Sequence, residues 1–207
     1  MKNKSCLLCI DIQNDFLDGG SLAVPNGNEV IPIINKLLPQ FDLVIFTKDY
    51  HDWEMDAFAS THEGAQPFDK YTNKQGEEDT LWPDHCIEGT FGAQIHKDID
   101  FNLCKQNYYI FKKGLTPEYH PYSGFGKTGL DKFLRNIGIE KIFIGGLAFD
   151  YCVRDTAIDS SHLGFNTIVI LDACRSIDSD LSETKLQLSE ANVKIIESWE
   201  LPLFNLL

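Results

Sequence analysis

The chain has 207 residues, of which 43% are hydrophobic, enough for one well-buried core and short for two. Its 31 acidic and 18 basic side chains give a formal net charge of −13, which argues against nucleic-acid and anionic membrane partners because both attract clustered Lys and Arg. The six cysteines are scattered and no signal-peptide or membrane-spanning run is present, so we expect a cytoplasmic protein with reduced thiols.

Six short apolar runs, bounded by polar or turn residues, predict β-strands over residues 6–10, 43–46, 108–111, 142–144, 168–171 and 193–196. The runs are continuous rather than alternating, which is typical of parallel strands covered on both faces. Apolar stripes at helical spacing predict helices over residues 29–38, 130–137 and 153–163. The alternation predicts an α/β fold, a three-layer doubly wound sandwich with a mostly parallel six-stranded sheet.

The interval from residue 52 to residue 106 fits this alternation poorly. Much of it mixes aromatic, acidic and glycine residues without sustained periodicity, as is common in long functional segments. No repeat or linker-like composition shift indicates a second domain. We therefore predict a single domain over residues 1–207 that contains this long interval, called the 52–106 segment below.

Polar side chains follow the carboxyl ends of four predicted strands, which is where ligands bind in open α/β sheets. Asp11 follows the first run, Asp49 and His51 the second, Lys113 the third, and Cys152 a turn after the fourth. Because these ends converge on one edge, an acid, a lysine and a cysteine are expected to meet beside a metal-chelating Asp-x-His pair.

Cys152 precedes a predicted helix, so its sulfur is expected at a helix N-terminus. The partial positive charge there, together with Lys113, would lower the pKa of the thiol and favour the thiolate nucleophile. The alternative is a buried, inert thiol. That alternative is kept for Cys6, Cys9, Cys104 and Cys174.

Asp11 and Lys113 each have a simpler interpretation, as a turn cap and as a solvated surface charge. Taken together they indicate a functional pair. Partial burial would raise the pKa of Asp11 while Lys113 would lower it, which could poise the carboxylate to exchange protons with Cys152.

Asp49 and His51 are two residues apart, which on extended backbone sends both side chains the same way. His85 offers a third ligand, so the 52–106 segment is expected to serve as metal site and lid. Three protein ligands with open positions describe a catalytic centre, whereas the alternative for His85 is a hydrogen-bonded loop histidine. The histidines without an assignment are His62, His96, His120 and His162.

Seven short motifs are spread along nearly the whole chain: residues 11–16 (DIQNDF), 19–22 (GGSL), 48–51 (KDYH), 82–86 (WPDHC), 113–114 (KG), 122–125 (YSGF) and 146–153 (GLAFDYCV). In this order they resemble the nicotinamidase branch of the isochorismatase-like cysteine hydrolases. The resemblance implies an isochorismatase-like fold and a hydrolase that converts nicotinamide to nicotinate and ammonia in NAD salvage. Pyrazinamide is a further expected substrate.

The resemblance assigns two residue sets, and both coincide with the strand-end prediction. The implied catalytic triad is Asp11, Lys113 and Cys152. The implied ligands of a divalent ion are Asp49, His51 and His85. Zinc is the first choice for this ion, with Fe²⁺ or Mn²⁺ as alternatives.

The resemblance also implies how substrate is held. The backbone N–H groups of Ala148 and Cys152 are implied to form an oxyanion hole, with a cis peptide between Leu147 and Ala148. The residues that resemble walls for a pyridine ring are Phe16, Trp82 and Tyr122. Ordinary core packing is the alternative for these aromatic side chains.

Two positions depart from the family pattern. Met55 stands where many relatives have a second histidine, so it cannot supply a nitrogen ligand, and this leaves the identity of the metal open. Phe149 replaces the threonine that is usual before Asp-x-Cys, which would change either the turn behind the nucleophile or the pocket wall.

Two other functions stay open. One is a related amidase or ureido hydrolase with another small substrate, although relatives outside the nicotinamidase branch generally lack the metal set. The other is a non-catalytic metal-binding scaffold whose acidic face serves a partner. Relatives are often oligomeric, so a homo-oligomer is an alternative to a monomer that meets only its small substrate.

Overall fold

The computed structural model describes residues 4–105 and 108–205, so the ends of the predicted domain and the last residue of the 52–106 segment lie outside it. In chain order, the strands are β1 (Ser5–Ile10), β2 (Val44–Asp49), β3 (Lys70–Thr72), β4 (Glu78–Thr80), β5 (Tyr108–Lys113), β6 (Lys141–Leu147), β7 (Asn166–Arg175) and β8 (Lys194–Ile196). The α-helices are α1 (Val30–Leu37), α2 (Leu130–Asn136), α3 (Arg154–His162), α4 (Ser182–Glu190) and α5 (Leu201–Asn205).

Six strands form one sheet in the order β5-β2-β1-β6-β7-β8, and every neighbouring pair is parallel. The predicted six-stranded, doubly wound α/β sheet is therefore confirmed. The chain builds from β1 outward to β5 and then resumes on the other side of β1 with β6, so the strand order reverses between β1 and β6. Ligands bind at such reversal points in open α/β sheets.

Helices cover both faces of the sheet, which gives the predicted three layers. On one face, Val30 and Ile34 of α1 pack in a hydrophobic cluster with Leu7 of β1. On the other face, Leu8 of the same strand packs with Leu134 of α2. Because successive strand residues point to opposite faces, a doubly covered strand needs the continuous apolar run seen in the sequence.

The edge strand β5 is less buried than its sequence suggests. Tyr108, Tyr109 and Ile110 are 40–44% exposed, although they belong to a continuous apolar run. An edge strand has a neighbour on one side only. The run therefore predicts the strand correctly but not its burial.

The three predicted helices are confirmed as α1, α2 and α3, each within one residue at either end. No prediction covers α4, because its buried residues are only Thr184 and Leu188, while Leu186 is exposed, and this leaves no apolar stripe. Among residues 4–105 and 108–205, no helix is both long enough and apolar enough to cross a bilayer.

The 52–106 segment contains little regular structure, as its lack of periodicity predicts. It holds the antiparallel hairpin of β3 and β4. Backbone hydrogen bonds of 2.7 and 2.9 Å join Trp82 to Ala57 and Ala59, which ties the middle of the segment to its start. The organisation of the whole chain as a single domain stays a prediction.

Candidate active site

Four strand ends bring the predicted catalytic and metal-site residues to one place. Asp49 and Lys113 are the last residues of β2 and β5, and they are register partners. β1 pairs in register with β6 up to its last residue, so Asp11 lies beside the turn that carries Cys152. The structure thus brings together the side chains that the sequence placed at separate strand ends.

Lys113 lies between Asp11 and Cys152. Its ammonium nitrogen is 3.1 Å from Asp11 Oδ2 and 3.4 Å from Cys152 Sγ, and all three side chains are buried. The Oδ1 atom of Asp11 accepts a 2.7 Å hydrogen bond from the Thr47 hydroxyl. Lys113 also donates to Asp49 Oδ1 at 2.5 Å, so one ammonium group links the predicted catalytic carboxylate of Asp11 to the predicted metal-ligand carboxylate of Asp49.

The Cys152 thiol is not activated by its surroundings alone. Burial raises the pKa of Cys152 well above its usual range; Lys113 opposes this effect, and the carboxylates of Asp11 and Asp49 add to it. The predicted direction, a lowered thiol pKa, is therefore wrong, because the loss of water outweighs the effect of Lys113. In these surroundings Cys152 carries a thiol, so a reaction at its sulfur requires a base.

Asp11 is the base within reach. Burial raises the pKa of Asp11, against the opposing effects of Lys113 and the Thr47 hydroxyl. Burial alone would lower the pKa of Lys113, but the carboxylates of Asp11 and Asp49 hold it well above its usual range. A carboxylate of raised pKa beside a permanently charged ammonium is suited to proton exchange with the Cys152 thiol.

The turn that carries Cys152 has the backbone form that the family resemblance implies. The peptide bond between Leu147 and Ala148 is cis. The Ala148 carbonyl accepts hydrogen bonds of 3.1 and 3.0 Å from the N–H groups of Tyr151 and Val153. These bonds close a π-type turn that leads directly into α3.

A second cluster beside the triad has the donors for a metal ion. Asp49, His51, His85 and His120 each offer one ligand atom, and these atoms lie within 4.8 Å of one another. The Nδ1 atoms of His51 and His85 lie 3.1 and 2.7 Å from backbone carbonyl oxygens, which is how metal-binding imidazoles are commonly oriented. Their Nε2 atoms face Asp49 at 3.4 and 3.9 Å, and His51 Nε2 is buried without a hydrogen-bond partner among the described residues.

The protonation states of this cluster suit a cation. Burial, reinforced by His51, lowers the pKa of His85 to about 4. Burial likewise lowers the pKa of His120 well below its usual range. Burial alone would raise the pKa of Asp49, but Lys113 and His51 hold it well below its usual range. Imidazole nitrogens with one carboxylate are a donor set that zinc prefers, so the residues present fit a divalent ion.

Gly114 leaves the space that the His51 ring occupies. Its φ is +71°, a conformation that favours glycine, and a Cβ at this position would clash with the His51 ring. The position of His51 therefore depends on the backbone that directly follows Lys113 at the end of β5.

The Gln13 side chain holds the backbone of Asp49 by hydrogen bonds, a role that the sequence alone did not indicate. Its buried side chain donates to the backbone carbonyls of Asp49 and Ala93, at 2.7 and 3.0 Å. Its oxygen accepts a 2.7 Å hydrogen bond from the Asp49 N–H. Gln13 thus satisfies the backbone at the end of β2, where Asp49 must be held.

We expect Gln13→Ala to lower the free energy of unfolding by about 2–4 kcal/mol, because it leaves buried backbone groups of Asp49 and Ala93 without partners. Urea unfolding of the metal-free protein measures this change. Gln187→Ala is the control, since the bond from Gln187 to Glu183 lies at the exposed surface and should matter by less than about 0.5 kcal/mol. Equal effects of the two variants would contradict the supporting role.

A small apolar cavity opens onto Cys152. Its lining includes all three predicted substrate walls: Phe16, Trp82 and Tyr122, with Leu22, Val24, Asp49, His85, His120, Ala148, Tyr151, Cys152 and Ile177. The Trp82 indole N–H donates to the Tyr122 oxygen at 2.9 Å, and the Tyr122 hydroxyl donates to Asp79 at 2.8 Å. Aromatic walls of this kind, beside the metal-site cluster, suit a flat aromatic ligand.

Two ring-bearing residues of the cavity wall carry no sequence prediction, His120 and Tyr151. The His120 ring lies 4.9 Å from that of His51, and the Tyr151 ring meets Trp82 edge-on at 5.0 Å. Each stands beside a recognised motif residue, His120 two positions before Tyr122 and Tyr151 directly before Cys152. This closeness in sequence to Tyr122 and Cys152 is the feature that could have indicated His120 and Tyr151 as cavity residues.

Both departures from the family pattern are packing residues in the structure. Phe149 is buried in the core cluster behind the Cys152 turn and does not line the cavity. Met55 is fully buried in a cluster with Ala57, Phe58 and Trp82. Of the two changes considered for Phe149, the structure thus favours the turn over the pocket wall.

Comparison with known proteins agrees with this geometry. Residues 5–200 match the family model described as the isochorismatase domain. The chain belongs to the isochorismatase family. Within it, the nicotinamidase of Acinetobacter baylyi is 40% identical over 182 residues, which cover 85% of this chain and 83% of that protein.

Solved structures of the isochorismatase family show the same fold. The nicotinamidase/pyrazinamidase of Acinetobacter baumanii superposes with a TM-score of 0.90 at 36% identity, covering 97% of this chain and 99% of that chain. The pyrazinamidase of Pyrococcus horikoshii, solved in complex with zinc, has a TM-score of 0.76 at 30% identity, covering 94% of this chain and 99% of that chain. The expected isochorismatase-like fold is confirmed.

Proposed function

We propose that this isochorismatase-family protein is a metal-dependent cysteine amidase that hydrolyses nicotinamide to nicotinate and ammonia. One observation carries the proposal: Lys113 joins the Cys152 sulfur to the Asp49 carboxylate in a buried site beside an aromatic-walled cavity. The relatives named above are nicotinamidases or pyrazinamidases. Nicotinamide hydrolysis places the protein in NAD salvage, and pyrazinamide, a carboxamide on a similar flat ring, is a second expected substrate.

The proposed ligands of the ion are Asp49, His51 and His85, with Zn²⁺ as first choice and Fe²⁺ or Mn²⁺ as alternatives. When bound, the ion supplies a Lewis-acid site for the pyridine nitrogen of the substrate. The protein orients both imidazoles through backbone carbonyls and keeps Asp49 ionised beside Lys113. The zinc bound by the pyrazinamidase of Pyrococcus horikoshii supports the choice of metal.

The acylation half of the reaction uses Asp11 as a proton carrier. Asp11 accepts the thiol proton as Cys152 sulfur attacks the carboxamide carbon, and the carbonyl oxygen becomes an oxyanion. The N–H groups of Ala148 and Cys152 are the proposed donors to that oxyanion. Asp11 then returns the proton to the departing nitrogen, the C–N bond breaks, and ammonia leaves a thioester on Cys152.

Hydrolysis of the thioester repeats the same proton path. Asp11 accepts a proton from water as the water oxygen attacks the thioester carbon, again forming an oxyanion. The C–S bond breaks, Cys152 recovers its proton from Asp11, and the product forms as a carboxylic acid, which loses its remaining proton to solvent and departs as nicotinate. Lys113 stays an ammonium throughout and stabilises the ionised forms of both neighbours.

Two alternatives differ from this proposal in their products. A related amidase or ureido hydrolase would share Asp11, Lys113 and Cys152, but the metal-site cluster and the aromatic walls favour nicotinamide. A non-catalytic scaffold would release no ammonia. For cellular context we propose a cytoplasmic protein whose partner is its small substrate rather than nucleic acid or membrane, and a homo-oligomer stays open.

We expect removal of the metal to lower ammonia release from nicotinamide by at least about 100-fold, because Lewis-acid binding is worth several kcal/mol. Coupled ammonia detection on chelated protein, before and after adding Zn²⁺ or Mn²⁺, measures the loss and its recovery. Pyrazinamide and ureido compounds assayed in parallel test the substrate class. Full activity in metal-free protein would remove the metal from the proposal, and ammonia from ureido compounds alone would favour the alternative enzyme.

A further inference from the structure

His120 lies in the loop between the end of β5 and Tyr122, whereas Asp49 and His51 lie at the end of β2 and His85 belongs to the 52–106 segment. Its ring centroid is 4.9 Å from that of His51 and 5.8 Å from that of His85. The loop therefore delivers a third imidazole to a cluster for which the sequence supplied two.

The hydrogen bonding of His120 is unusual for a histidine inside a protein. Both ring nitrogens are inaccessible to solvent, and neither has a hydrogen-bond partner among residues 4–105 and 108–205. Buried polar atoms are nearly always paired, because an unmade bond carries the cost of desolvation. An imidazole with both nitrogens unpaired next to a carboxylate and two other imidazoles has the surroundings of a ligand.

We propose that His120 is a fourth protein ligand of the metal, added to Asp49, His51 and His85. One ligand atom from each of the four residues lies within 4.8 Å of the others, a spacing that one ion can span. The inference rests on the metal site of the proposed function but not on its substrate. It gives the site the nitrogen that Met55 cannot supply.

A fourth ligand has two consequences for the site. Four protein ligands leave fewer positions for water or substrate than three, so the ion is held more tightly and in a more closed geometry. His120 is also two residues from Tyr122, which walls the cavity and is held by Trp82 and Asp79. Ligation by His120 would therefore fix this wall to the sheet.

The variant that separates ligation from packing is His120→Phe. Phenylalanine keeps a ring against His51 and Tyr122 but has no nitrogen, so a packing role would survive the change. If His120 is a ligand, zinc affinity should fall by more than about 100-fold, beyond the usual loss on changing an outer-shell partner. Competition with a chromogenic chelator measures this on the full chain. His51→Ala sets the scale, and His162→Ala, an exposed histidine on α3, is the matched control.

The visible absorption of the Co²⁺-substituted protein depends on which side chains bind the ion, so it tests ligation by His120 directly. At saturating Co²⁺, the visible absorption of His120→Phe should differ from that of the parent, while His162→Ala should match the parent. Urea unfolding without metal checks the fold, and His120→Phe should be at least as stable as the parent because two unpaired nitrogens are gone. His120→Ala serves as a second variant for the same measurements.

The outcomes separate this inference from the proposed function. Zinc affinity of His120→Phe within about threefold of the parent, with an unchanged Co²⁺ spectrum, would overturn His120 as a ligand and leave the three-residue site standing. A parent protein that binds no zinc, cobalt or manganese would overturn both. A parent that binds zinc but does not hydrolyse nicotinamide would remove the proposed substrate, and the His120 result would still decide the ligand set.

Discussion

Cys152→Ala should abolish nicotinamide hydrolysis, with a fall in kcat on the order of 10⁶-fold, as is typical when a hydrolase loses its covalent nucleophile. Cys152 Sγ is the only atom of the triad that forms a bond to carbon in the proposed reaction. It lies on the cavity wall, 3.4 Å from the Lys113 ammonium. No other thiol lines that cavity among the described residues, so none is placed to replace it.

The test of Cys152 compares two cysteine variants in the same ammonia assay. Cys104→Ala is the control, because Cys104 is partly exposed and does not line the cavity. Zinc affinity should be unchanged in Cys152→Ala, since Cys152 is not among the four clustered metal-site residues. Turnover of Cys152→Ala at more than a small fraction of the parental rate would rule out nucleophilic catalysis by this residue.

The part of the site that was predictable from sequence is the part that parallel strands impose. Residues that closely follow parallel strands meet at one sheet edge, and this geometry brought Asp11, Asp49, Lys113 and, after one turn, Cys152 together. The register of β2 with β5 makes Asp49 and Lys113 direct neighbours. The closeness of Asp49 and Lys113 follows from the apolar runs that predict β2 and β5, because parallel pairing places the ends of these two strands side by side.

What the sequence could not supply depends on contacts between distant loops and on burial. His120 reaches the metal-site cluster only through the path of the loop before Tyr122, which no periodicity encodes. The pKa of Cys152 is raised, whereas the sequence predicted that it would be lowered. Burial by the surrounding chain raises it, and the sequence showed only the nearby Lys113 and the helix start, not how deeply the thiol is buried. The role of Gln13 likewise rests on backbone groups of Asp49 and Ala93, far from it in sequence.

Asp11→Asn should lower kcat/KM by about 10³–10⁴-fold, since one carboxylate is proposed to move every proton in the reaction and general acid–base catalysis contributes up to about that much. Asparagine keeps the shape of aspartate, and Lys113 keeps Asp49 as its partner. The site should therefore stay assembled, and zinc affinity and the urea unfolding midpoint should change little. Asp42→Asn, at an exposed carboxylate, controls for the loss of one negative charge.

The pH dependence of kcat/KM in the parent enzyme is a second test of Asp11 as the base, separate from the loss of activity in Asp11→Asn. Asp11 must be ionised to accept the thiol proton, and burial raises its pKa above the ordinary value of 3.8. At saturating zinc, kcat/KM should therefore fall as pH drops through a pKa higher than that of an exposed aspartate. Asp11→Asn should lose this acidic limb, whereas Asp42→Asn should keep it. An acidic limb that persists in Asp11→Asn, with activity within about tenfold of the parent, would assign the base to another group.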